Sequence, residues 1–139
     1  MVGWRAALGQ VKAVDTNVLA RYIVGDDPDQ QRRATAVMAQ PCYIAHTVLL
    51  ETAWLLSSRY RFDRATLAAT LSDLALLPSV TMDDVDLIHW AIERFAAGAD
   101  IADMLHLIAS RRADVFVSFE GRLAQVAGTG SPIVVEQPD

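Results

Sequence analysis

Five short apolar runs, separated by helix-like stretches, constrain this chain more than any other feature. They are Lys12–Asp15 (KAVD), Cys42–Ala45 (CYIA), Val80–Met82, Asp114–Ser118 (DVFVS) and Ile133–Val135. Each is too short to be a helix and is bounded by turn residues or acids, which is how a buried strand reads. Parallel strands need a crossover between them, and single or paired helices supply it here. The pattern predicts an α/β fold with a small, mostly parallel sheet. Helices take most of the residues, so the sheet is expected to be covered on both faces.

The crossovers carry their own punctuation. Thr16–Val24 reads as a helix stopped at Gly25, and Pro28–Ala39 as a second, capped by Asp27. Thr47 is expected to cap a helix reaching Tyr60, and Asp63 one that runs through Leu76 before Pro78. Asp83 or Asp84 opens a helix ending at Gly98, and Asp100 caps another running to about Arg112. A short helix over Gly121–Ala127 completes the set. No repeat, low-complexity tract or Gly/Ser linker divides the 139 residues, so one domain is expected.

Composition excludes several classes. Hydrophobic residues make up 53% of the chain, far from the profile of disorder. The single cysteine, Cys42, excludes an internal disulfide framework and a cysteine-rich zinc site. No apolar run approaches a membrane span, and the opening MVGWRAALGQVK lacks the apolar stretch of a secretory signal. A cytoplasmic protein without a membrane partner is the expectation. The formal charge is −5, from 17 acids against 12 basic residues, which excludes a generic binder of polyanions.

The acids themselves repay inspection. In open parallel sheets ligands bind beyond the carboxyl ends of the strands. Asp15 ends the first strand, followed by Thr16 and Asn17; Glu120 follows the fourth strand; Asp100 and Asp103 share the start of one helix; Glu51 lies within a mostly apolar helix. Each has a plain structural reading: Asp100 as an N-cap, Asp103 as a complement to the helix dipole, Glu51 paired with an arginine, Glu120 exposed. Convergent acids would repel unless a cation intervened, and an oxygen-only donor set suits Mg²⁺ or Mn²⁺. Such an ion suits phosphodiester hydrolysis without a covalent nucleophile.

At these residues the chain resembles a known family. AVDTNVLARYIVGDDPDQ (Ala13–Gln30) closely resembles the opening of PIN-domain proteins, especially VapC-type toxins of bacterial toxin–antitoxin pairs. HTVLLETAWLLSSRY (His46–Tyr60), ADIADMLHLIAS (Ala99–Ser110) and SFEGRLA (Ser118–Ala124) are similar to the second, third and fourth motifs, in order. The resemblance implies a three-layer α/β/α fold over residues 13–136, preceded by an N-terminal extension, residues 1–12. It implies a Mg²⁺- or Mn²⁺-dependent endoribonuclease that leaves a 5′-phosphate and a 3′-hydroxyl, often dimerises and is silenced by an antitoxin. Asp15, Glu51 and Asp103 match the three core metal-site acids, Asp100 the frequent extra acid, and Asn17 the polar residue after the first. Glu120 stands where the family usually has aspartate, and Ser118 where it usually has threonine.

Other residues invite weaker readings. His46, His89 and His106 lack zinc spacing and read as structural. Cys42 reads as an inert buried thiol, and Trp54 as core or dimer surface rather than a base-stacking platform. Eleven of the twelve basic residues are arginines, and the Arg59–Arg64 stretch is the best candidate for contact with a substrate backbone. Two rival functions follow. One is a catalytically impaired module of the same fold that binds a partner protein. The other is a phosphatase using Asp15 as nucleophile, which would want a second acid where Asn17 stands.

Overall fold

Val14 and Asp15 mark the point where extended backbone gives way to helix. In a computed structural model, which describes residues 9–139, β1 (Lys12–Ala13) pairs in parallel with β2 (Cys42–Tyr43), and β2 with β3 (Val80–Thr81). The ladder continues one residue further on each strand: Val14 N–H donates to Tyr43 O and Ile44 N–H to Thr81 O, both at 3.1 Å. At Asp15 the side chain takes over, accepting from Val18 N–H at 3.1 Å and starting α1 (Thr16–Val24). Gly25, at φ 71°, ends that helix in the left-handed conformation that glycine adopts at little cost.

The remaining elements follow in the expected alternation. They are α2 (Pro28–Met38), α3 (His46–Ser58), α4 (Arg64–Leu76), α5 (Val85–Ala96), α6 (Ile101–Ala109), β4 (Val115–Val117), α7 (Leu123–Ala127) and β5 (Val134–Glu136). β4 and β5 pair in parallel. The result is an α/β fold with seven helices among the described residues and parallel strand pairing throughout. Asp27 and Asp63 cap α2 and α4 as expected, accepting from Gln30 N–H and Thr66 N–H. Those amide contacts hold the Asp63 carboxyl below the usual carboxylate range.

Four expectations are corrected. The strands form two sheets, β1–β2–β3 and β4–β5, because no ladder joins the two groups. The first strand is an edge with Lys12 and Ala13 exposed, so only Val14 of that run is buried. Thr47 does not cap α3. That helix starts one residue earlier, after Ala45, with no side-chain cap; instead His46 Nε2 lies 2.7 Å from Asp83 O and ties the helix start to the β3–α5 turn. Asp84 precedes α5 at φ 50° without capping it, because its carboxylate accepts from Arg111 at 2.7 Å. Of the expected extension, residues 1–8 lie outside the described residues.

The core is drawn from every layer. Leu19, Ile44, Leu49, Leu56, Leu71, Ile88, Met104, Leu107 and Ile108 are fully buried. Each such aliphatic side chain contributes on the order of 1.5–3 kcal/mol through burial. α3 packs against α1, α4 and α6 and so ties the middle of the chain to both ends of the acid constellation. Cys42 is buried beside Met38, its Sγ 3.9 Å from Sδ, and burial raises its thiol pKa, as befits an inert thiol. Among the described residues no helix is long and apolar enough to cross a membrane.

Candidate active site

Asp15 and Asp100 are placed by the same device. Each caps a helix through one carboxylate oxygen: Asp15 Oδ1 accepts from Val18 N–H, and Asp100 Oδ1 from Asp103 N–H at 2.9 Å. Both residues are exposed, and Oδ2 of each makes no hydrogen bond to the described residues. The caps orient the two acids at helix N-termini, where the dipole favours negative charge.

Glu51 projects from the second turn of α3. It is exposed, so the burial cost that its apolar helix suggested does not arise. Among the described residues no arginine meets it; the hydroxyl of Thr16 donates to Oε1 and links α3 to α1. That bond fixes the Glu51 carboxyl beside Asp15. Asp15, Thr16, Asn17, Glu51, Trp54 and Leu55 line one cavity of about 210 Å³.

Asp103, on the first turn of α6, is half-buried. Burial raises its carboxyl pKa first, the Asp100 carboxylate adds to the effect, and Glu120 raises it further, while His106 works in the opposite sense. Asp100 and Glu120 are thus near enough to act on Asp103 electrostatically, with His106 partly offsetting them. Glu120 is set by its own turn: its N–H donates to Ser118 Oγ at 3.0 Å, and its Oε1 accepts from Arg122 N–H at 3.2 Å. Ser118 is anchored in turn by its N–H to Glu136 O at 3.0 Å.

The structure thus assembles the anticipated residues in two groups, Asp15–Asn17–Glu51 and Asp100–Asp103–Glu120. Among the described residues no three His, Cys, Asp or Glu side chains already stand close enough together to hold an ion. Trp54 joins the two groups. It lines the cavity beside Glu51 and also a second one, about 400 Å³, that reaches Asp100 and Ile101. It is 66% exposed, so it is not a core residue. Sequence reasoning missed Thr16 as the partner of Glu51. Its adjacency to Asp15 was the available signal.

Arg64 is committed to the fold through one end of its guanidinium. Its Nη1 donates to Phe95 O at 2.7 Å and Ala99 O at 2.8 Å, and its guanidinium lies 4.5 Å from the centre of the Phe95 ring. It braces the α5–α6 corner, and Arg59 lies over the Tyr60 ring.

A PIN domain family profile matches residues 12–129. The chain belongs to the PIN domain family. PIN domains are generally nucleases, so the match supports a hydrolase acting on nucleic acid. The PIN match ends before β5, whose pairing with β4 carries the fold on to Glu136. A search of curated proteins finds no relative of this chain.

Proposed function

We propose that this PIN domain is a metal-dependent endoribonuclease and the toxin of a toxin–antitoxin pair. Asp15, Glu51 and Asp103 would hold Mg²⁺ or Mn²⁺, with Asp100 and Glu120 as further carboxylates. The observation that carries the reading is the pairing of Asp15 and Glu51 at one cavity of a PIN fold, with Trp54 bordering both that cavity and the one that reaches Asp100. The donor set fits a hard cation: every group is a carboxylate, and Asp15 and Asp100 each keep one oxygen without a hydrogen bond from the described residues. A bound ion supplies charge neutralisation at the phosphate and a more acidic water.

The chain's own residues do the positioning. The Thr16 hydroxyl holds Glu51 beside Asp15, and Asn17 on the same helix start offers a neutral amide donor and acceptor to the substrate. Ser118 holds the turn that carries Glu120. An antitoxin that covers this acidic cleft, a homodimer and a cytoplasmic setting belong to the same proposal. The test is cleavage of RNA by the purified protein with Mg²⁺ or Mn²⁺ and with EDTA. Activity is expected only with the ion, and Asp103→Asn is expected to abolish it; full activity in EDTA or in that variant refutes the assignment.

The separation of the acids into two groups favours a second reading, a catalytically impaired module that binds a partner protein. Titration with Mn²⁺ separates them. Asparagine caps a helix as well as aspartate does, so Asp15→Asn removes charge without removing the cap. A nuclease site gives a Mn²⁺-dependent rise in Tm that Asp15→Asn loses; the impaired module gives no rise in either protein.

A further inference from the structure

Trp54 is the one large aromatic side chain bordering the acidic cleft on both sides, and nothing in the fold requires it to be exposed. Its neighbours on α3, Ala53 and Leu56, are buried, whereas the indole stands out between the cavity holding Asp15 and Glu51 and the one reaching Asp100. Trp54 follows Glu51 by three residues, so the two side chains are neighbours on the helix surface. A flat ring there borders the same cavity as Asp15 and Glu51.

Charge points to the same occupant. The chain carries a formal charge of −5, and the cavities Trp54 borders are poor in cations for phosphate contacts. Arg64 is the cation lining these two cavities, and its Nη1 is already committed to two backbone carbonyls. Stacking a base on an aromatic face gives affinity without a cation and tolerates any base.

We propose that Trp54 is the stacking platform for an unpaired base of the RNA substrate, next to the phosphate that is cut. This deepens the nuclease reading and depends on it for the location of the scissile bond. Binding would be weakly dependent on salt, because few phosphates are neutralised. It would require bases rather than a ribose-phosphate chain alone.

Tryptophan fluorescence tests this directly. Titrations use the Asp103→Asn protein in Mg²⁺, to prevent turnover, with a short oligo(rA) or an abasic ribose-phosphate oligomer of equal length. Quenching by oligo(rA) and not by the abasic oligomer is expected, and it should vanish when Trp54→Phe is added. Trp54→Ala should weaken binding about tenfold or more, with Trp54→Phe retaining most of the affinity. Unchanged affinity in Trp54→Ala, or equal binding of the abasic oligomer, overturns the proposal. So does a wild-type dimer that Trp54→Ala converts to monomer, since the indole then meets a second copy. Cleavage assays run in parallel separate the two ideas. Metal-dependent cleavage with an unchanged KM in Trp54→Ala sinks the platform alone. Base-dependent quenching in a protein that never cleaves RNA sinks the nuclease and supports Trp54 as the base-binding surface.

Discussion

Replacing Arg64 with methionine keeps the aliphatic stem and removes the guanidinium. The structure gives that group two jobs, donation to Phe95 O and Ala99 O and contact with the Phe95 ring. Each bond to a backbone carbonyl contributes about 1 kcal/mol net at a partly exposed site. The ring contact adds roughly 0.5–1 kcal/mol. Ala99 is only 2% exposed, so its carbonyl would have little access to replacement water. The expected loss is about 2–3 kcal/mol. Urea unfolding followed by far-UV circular dichroism should show it as a lower midpoint at unchanged slope, and Tm should fall by about 6–12 °C. Arg64→Lys should recover half or less, because one ammonium cannot reproduce a planar fork. An unchanged midpoint together with a large loss of RNA affinity would refute this reasoning and return Arg64 to the substrate.

Asp103→Asn should be more stable than the parent at neutral pH in EDTA. The folded protein holds the Asp103 proton more tightly than the unfolded chain does, so the native state is penalised above the folded pKa and relieved as pH falls through it. The advantage should therefore shrink in acid, which melts from neutral pH down to below the usual carboxylate range would follow. Asp100→Ala should cost about 1 kcal/mol through loss of the α6 cap while Asp100→Asn costs little, a difference that chemical denaturation resolves.

Much of the fold was legible because local chemistry and tertiary packing agree. Asp27, Asp63 and Asp100 sit where a short side-chain acceptor precedes a helix, and all three cap. Thr47 and Asp84 have the same chemistry and do not cap, because partners distant in sequence intervene: Asp83 O meets His46, and Arg111 takes the Asp84 carboxylate. Nothing local announces either contact. Trp54 lies at the surface rather than in the core, a choice the sequence left open for another reason. α3 is apolar almost all round, so spacing alone does not say which side faces the core. The Thr16–Glu51 bond spans two helices and is likewise invisible in one dimension.

The division of the strands into two sheets has a consequence for the acids. Glu51 stands on a helix anchored by Leu49, Ala53 and Leu56, so displacing it means opening the main core. Glu120 stands between β4 and α7, on a two-stranded sheet whose Val115, Val117 and Val134 are exposed. Only its inner face, through Phe116 and Val135, packs on the core, and a two-stranded unit of this kind is expected to open at a lower free energy than the whole domain does. Amide exchange should accordingly run faster at Ser118, bonded to Glu136 O, than at Ile44, bonded to Thr81 O. The turn that carries Glu120 is thus expected to open on its own clock, apart from the helix that carries Glu51.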